Sequence, residues 1–104
     1  MTKTRTTQWD VAEHLTRPED IAAYLEAALA EGDPRLLAAA LGDVARARGM
    51  SRLASEAGLG RESLYKALSR NGNPELGTVI RVIQALGLRL RVVPVKRGAA
   101  AQRG

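Results

Sequence analysis

Apolar residues recur at the spacing of a helix face in the segment that follows Pro18. They fall at i, i+4, i+7 and i+8, on one side of a helix that we expect to end near Gly32. Thr16 and Glu19 fit a capping box, with a hydroxyl at the N-cap and a carboxylate three residues later. The apolar face of this predicted helix consists of Ile21, Leu25, Ala28 and Leu29.

A second amphipathic helix is predicted from Asp33 and Pro34 to a stop at Gly49. Aspartate accepts hydrogen bonds at an N-cap, and proline at the first helical position lacks only an N–H that would have no helical partner. Arg46 and Arg48 suit the last turn, where the helix dipole favours cations. The predicted buried positions are Leu36, Leu37, Ala40, Leu41 and Val44.

Three shorter helices are predicted in the next part of the chain. Gly58 separates a helix capped by Ser51 from a second helix expected over about residues 61–69. The Asn73-Pro74 pair predicts the start of a third helix, which Gly87 ends. The predicted buried positions of this third helix are Leu76, Val79, Ile80, Ile83 and Leu86.

The hydrophobic period changes after Gly87 from that of a helix to that of a strand. Apolar and basic residues alternate strictly over residues 88–92, and Pro94 restricts this predicted β-strand to the edge of a sheet. A lone strand is not stable in water, so we expect it to pair with a second copy of the chain or with another protein.

Composition narrows the classes of function. The chain has 104 residues, no Cys and a single His, His14. The lack of Cys rules out a disulfide scaffold, and one His leaves little material for acid–base catalysis, so we predict no enzyme activity and no metal or cofactor. No apolar run approaches the ~18 residues of a membrane span. Because residues 1–5 also lack the apolar region of a signal peptide, we expect a cytoplasmic protein with no membrane partner.

Charge is divided unevenly along the chain. Residues 1–34 carry three basic and seven acidic side chains, whereas residues 35–104 carry 13 basic and four acidic ones. This division predicts two partners, because nucleic acid is a polyanion that suits the basic part and a basic protein suits the acidic part. An ordinary solvated surface explains the acidic region equally well.

The stretch from Met50 to Ser69 has the pattern of a helix-turn-helix. Ala54 is a small residue where two short helices would cross, and Gly58 tolerates the positive φ of a tight turn. The second helix would then present a cationic face to the major groove of DNA. A helical hairpin used only for packing explains the Ala and the Gly, but not the exposed cations. The apolar positions that would hold the pair against a core are Leu53, Ala57, Leu59, Leu64 and Ala67.

Nine residues are predicted to contact DNA. Arg61 and Lys66 carry the donors that suit guanine O6 and N7. Tyr65 suits a thymine methyl group or a phosphate, unless it packs half-buried in the domain. For Glu62 we favour an i, i+4 ion pair with Lys66 over a hydrogen bond from cytosine N4. The predicted site comprises Ser51, Arg52, Gly60, Arg61, Glu62, Tyr65, Lys66, Ser69 and Arg70, of which Ser51, Arg52 and Arg70 are placed for phosphates.

The same residues resemble the Cro/repressor-type helix-turn-helix family. Over about residues 9–95, longer runs resemble the addiction-module antidote proteins of the HigA-like type. These runs include Ile21-Ala-Ala-Tyr-Leu-Glu-Ala-Ala-Leu, Arg61-Glu-Ser-Leu-Tyr-Lys-Ala-Leu and Ala85-Leu-Gly-Leu. The resemblance implies the antitoxin of a type II toxin–antitoxin module. Such a protein neutralises a small basic toxin of the RelE/HigB sort, an mRNA endoribonuclease, and represses its own operon as a homodimer on double-stranded operator DNA.

The resemblance completes the predicted architecture. We expect an all-α, five-helix Cro/repressor-like helix-turn-helix domain with an N-terminal helical extension and one C-terminal β-strand. The expected divisions are an acidic extension over 1–32, the DNA-binding domain with its strand over 33–95, and a disordered basic tail over 96–104. Two positions depart from the family, because Gly60 stands where a Ser cap is usual and Arg52 where Gln is often found.

A stand-alone helix-turn-helix repressor without a toxin partner is the alternative function. The extension over residues 9–32 favours the antitoxin, since a minimal DNA-binding domain does not require it. We expect the toxin to contact either this acidic extension or the C-terminal segment, where strand addition would join the two chains.

Overall fold

Five helices form the secondary structure of the described residues, 15–69 and 71–96, in the computed structural model. The predicted all-α class is confirmed. The part of the chain so described contains no strand, and the predicted five-helix count is met only when the helix of the N-terminal extension is included. The helices are α1 (Pro18–Ala30), α2 (Pro34–Arg48), α3 (Met50–Ala57), α4 (Arg61–Ala67) and α5 (Leu76–Ala85).

The starts of α1 and α2 show how proline sets a helix boundary. At α2 the predicted cap is confirmed, because the Asp33 carboxylate accepts a hydrogen bond from the Arg35 N–H at 2.9 Å. At α1 the predicted capping box is wrong: Arg17, rather than Thr16, is the N-cap, and its side chain makes no cap hydrogen bond. Arg17 is extended because a residue that precedes proline is disfavoured in the helical region.

The starts of α3 and α5 also differ from the prediction. Gly49 precedes α3, so Ser51 lies inside the helix and does not cap it. Helix α5 begins at Leu76, and its N-cap is Glu75, two residues after the predicted cap Asn73. Neither helix has a side-chain cap, so packing of its apolar face carries more of its stability.

A single apolar core joins all five helices. Leu41, Leu53 and Leu64 are almost completely buried in it, and Ile21 and Leu25 extend the core to α1. The predicted buried positions Leu36, Leu76 and Ile80 are instead exposed. In α5 the buried face is rotated from the predicted one, because the side chains that face the core are Val79, Val82, Ile83 and Leu86.

The predicted C-terminal β-strand is wrong. Residues 88–96 have no regular secondary structure, because a strand needs a partner for its backbone and no other described segment supplies one. The Leu88 N–H instead donates to the Ile83 carbonyl at 3.1 Å, which ties the segment to the end of α5. Leu88 is half-buried against the core, and the segment then forms one wall of a shallow groove whose other wall is α1.

Tyr24 links α1 to α2 through a polar network. Its hydroxyl donates to the Asp43 carboxylate at 2.5 Å, and Arg46 donates to the other oxygen of that carboxylate at 2.8 Å. Burial of the phenol and its hydrogen bond to Asp43 raise the pKa of Tyr24 to about 12. The phenol is therefore neutral and bonded to Asp43 throughout the physiological pH range.

The variant Tyr24→Phe is expected to unfold more easily at neutral pH, by about 1–2 kcal/mol, because a hydrogen bond to a charged acceptor is lost at a partly buried site. The difference in the free energy of unfolding between the variant and the original protein should narrow between pH 10 and about 12. In that range the unfolded tyrosine ionises while the folded one stays neutral, which lowers the stability of the original protein only.

Urea unfolding of both proteins at pH 7 and pH 11 measures this change. Tyr65→Phe is the matched control, because it makes the same chemical change at an exposed side chain on α4, outside this network. A stability difference for Tyr24→Phe that stays constant between the two pH values would contradict the network.

Candidate nucleic-acid interface

Helices α3 and α4 are joined by a tight turn whose geometry requires glycine. Gly58 has φ 72° and ψ 34°, in the left-handed region where a side chain is unfavourable. The Leu59 N–H donates to the Ala54 carbonyl at 2.9 Å and closes the turn. Leu53 and Leu64 are buried on the inner faces of the two helices, so their outer faces are left to solvent.

The end of α4 lies directly against α2. A Cβ atom at Gly42 would be 2.5 Å from the backbone oxygen of Leu68, which is closer than real side chains approach. Only glycine at this position of α2 allows the contact without a shift of the backbone. The position of α4 is therefore set by a backbone approach that the sequence pattern does not reveal.

The outer face of α4 brings together the four predicted side chains of the helix. Arg61, Glu62, Tyr65 and Lys66 are all exposed and line one shallow surface depression. Tyr65 is 58% exposed, so the half-buried packing considered for it is wrong. The favoured ion pair is also wrong, because among the described residues no salt bridge joins Glu62 to Lys66. Both charged groups point to solvent and can meet a ligand.

The predicted phosphate contacts at the start of α3 are exposed as well. The side chain of Ser51 is exposed to solvent. The Nε of Arg52 donates to the Glu56 carboxylate at 3.1 Å. The second oxygen of Glu56 accepts from Arg48 at 3.0 Å. Two guanidinium groups are therefore held by one carboxylate beside the α3–α4 pair.

The remaining predicted site residues have different surroundings. Gly60 is exposed and is the N-cap of α4, with no side chain to contribute. The Ser69 hydroxyl donates to the Lys66 carbonyl at 2.8 Å, so its proton is used at the end of α4. Arg70 lies outside the described residues.

Sequence reasoning missed cations that the fold places beside the turn. Arg81, on α5, donates to the Gly58 carbonyl at 3.5 Å and is exposed. Arg48 was expected only to stabilise the end of α2, and it instead bonds to Glu56 of α3. No local pattern could have revealed either contact, since the partners are 23 and eight residues apart in the chain.

None of the described helices is long and apolar enough to cross a bilayer.

Comparison with known proteins identifies the class to which this helical arrangement belongs. The family model for a probable addiction module antidote protein matches residues 5–94, and the chain belongs to this family. It is similar to an uncharacterized protein of Haemophilus influenzae, with 54% identity over 84 residues that cover 81% of this chain and 87% of the relative. No solved structure matches. Membership supports an antitoxin role and implies a toxin as partner.

Proposed function

We propose that this chain is a non-enzymatic, cytoplasmic antitoxin that also represses its own operon. In this proposal a homodimer binds double-stranded operator DNA through α3 and α4, which act as a Cro/repressor-type helix-turn-helix of a HigA-like protein. The toxin that it neutralises is a RelE/HigB-like mRNA endoribonuclease. Membership of the antidote family supports the antitoxin part.

The observation that carries the DNA-binding part is the outer face of α4. Arg61, Tyr65 and Lys66 project from a helix whose opposite side is fixed to the core by Leu64 and Leu68. A short, rigidly backed helix with exposed arginine and lysine suits insertion into the major groove, where base edges present acceptors. The excess of basic residues beyond residue 34 adds attraction to phosphates.

The direct test is binding to the DNA upstream of the protein's own gene. Labelled promoter fragment and an unrelated duplex of the same length are titrated with the protein at several salt concentrations. We expect tighter binding to the promoter, with an affinity that falls steeply as salt increases. Equal affinity for both duplexes at every salt concentration would remove the repressor function.

A stand-alone repressor is the second candidate function. The acidic α1 and the family membership both favour a chain that also binds a toxin. Co-expression with the product of the adjacent reading frame distinguishes the two. Co-purification in a fixed ratio supports the antitoxin, whereas promoter binding without co-purification supports the repressor alone.

The toxin surface that we favour is the groove between α1 and residues 88–93. The two candidate toxin contacts, the acidic extension and the C-terminal segment, are its two walls. Leu29 and Leu90 expose apolar surface across it, while Glu26 lies on one wall and Arg91 on the other. Apolar anchors flanked by both signs of charge suit a protein partner that carries complementary groups.

The variant Leu90→Asp is expected to weaken the toxin complex at least tenfold, because it places a charge among the apolar anchors. Leu36→Asp is the matched control: Leu36 is 44% exposed and Leu90 is 42% exposed, but Leu36 does not line the groove. Co-purification yield and calorimetric titration with the adjacent gene product measure the effect. If both variants weaken the complex equally, the toxin binds elsewhere.

A further inference from the structure

One carboxylate holds two arginines beside the α3–α4 pair. The Glu56 Oε1 atom accepts from Arg48 at 3.0 Å, and its Oε2 atom accepts from the Nε of Arg52 at 3.1 Å. Arg48 comes from the last turn of α2, whereas Arg52 and Glu56 lie one turn apart on α3. The cluster therefore joins two helices and carries a net charge of one positive unit.

The geometry leaves the donor edge of Arg52 available. A guanidinium has five N–H donors, and the bond from Nε to Glu56 uses the side of the group next to the aliphatic stem. The other four N–H donors belong to its two terminal nitrogens, whose outer edge has the paired arrangement that binds two oxygens of a phosphate. The side chain of Arg52 is largely exposed, so these nitrogens are accessible.

We propose that Glu56 is a positioning residue for DNA binding, which holds Arg52, with Arg48 beside it, to bind one backbone phosphate. This inference rests on the proposed DNA-binding function and adds to it an acidic residue that would otherwise be expected to oppose DNA. A free arginine loses side-chain entropy when it binds a phosphate, and a guanidinium already fixed by Glu56 loses less. For Glu56 to favour DNA binding, the free energy saved by holding Arg52 in place must exceed the repulsion between Glu56 and the phosphate.

For Glu56→Gln, the proposal predicts a change in promoter affinity opposite to the one that simple electrostatics predicts. Glu56→Gln removes a negative charge near the DNA, so charge alone would tighten binding. If Glu56 instead positions Arg52, the neutral amide holds the guanidinium less firmly and promoter binding weakens. We expect a loss of about 2- to 10-fold in promoter affinity, at the low end of the range for coupled neighbours.

The experiment compares purified full-length variants on the promoter fragment and on an unrelated duplex at one fixed salt concentration. Glu31→Gln is the matched control, because it makes the same change of charge at an exposed residue just after α1 that does not line the groove. It is expected to leave promoter binding unchanged or slightly tighter. Thermal unfolding of each variant verifies that the protein is folded at the temperature of the binding assay.

A second pair of variants tests whether Glu56 acts on DNA binding through Arg52. In an Arg52→Ala background, Glu56→Gln should cause no further loss of promoter affinity, because the group that it positions is absent. Unchanged or tighter promoter binding by Glu56→Gln overturns the inference and leaves the repressor function intact. An equal loss with and without Arg52 also overturns it. Failure of the original protein to prefer its promoter overturns both proposals.

Discussion

Replacing Leu25 with alanine is expected to lower the free energy of unfolding by about 2–5 kcal/mol, the usual cost of a leucine removed from a closed core. Leu25 is only 4% exposed and belongs to the same apolar cluster as Leu41, Leu53 and Leu64. The cavity would lie between α1 and the rest of the protein. Urea unfolding followed by far-UV circular dichroism measures the loss.

Leu29→Ala is the matched control for this prediction. It makes the same chemical change one turn further along α1, at a side chain that is 43% exposed. The expected cost is below about 1 kcal/mol, because little buried surface is lost. Equal small losses for the two variants would mean that α1 contributes little to the core.

Single surface variants test the toxin surface better than deletion of the N-terminal extension does. The sequence distinguishes an N-terminal extension by its acidic charge, but Ile21 and Leu25 of α1 close one side of the core. Removal of residues 1–32 would therefore be expected to weaken the DNA-binding part as well. Single surface changes in the groove, such as Leu90→Asp, separate toxin binding from folding more cleanly.

Local chemistry explains the features that the sequence could predict. Asp33 before Pro34 caps α2 as expected, because both effects depend on neighbouring residues only. A glycine follows the end of α2, α3 and α5, as expected because glycine readily adopts the backbone conformation that ends a helix. Gly58 has the left-handed conformation expected of a turn. The exposed face of α4 follows from the spacing of its apolar residues.

Contacts between distant segments of the chain explain the features that could not be predicted from the sequence. Alternation over residues 88–92 predicts a strand, but a strand forms only where another supplies its hydrogen bonds. The close approach at Gly42 and the bond from Arg81 to Gly58 depend on how helices cross. The Glu62–Lys66 pair had the right spacing, but such exposed pairs gain little and compete with water.

The variant Arg61→Ala is expected to weaken promoter binding by about 1–3 kcal/mol, roughly 5- to 150-fold, if Arg61 donates two hydrogen bonds to one guanine. It should also relax the base preference at a single operator position. Binding to an unrelated duplex should fall much less, because only one positive charge is lost there. Titration against promoter fragments with each base pair changed in turn measures both effects.

Two further variants separate base recognition from charge. Arg35→Ala removes an exposed arginine from the first turn of α2 and should weaken promoter and unrelated DNA to the same small extent. Arg61→Lys keeps the charge but loses the planar pair of donors, so it should recover general affinity without recovering the base preference. If Arg61→Ala instead keeps the full base preference and loses only general affinity, Arg61 contacts phosphate. In that case the base contacts of α4 belong to Tyr65 and Lys66.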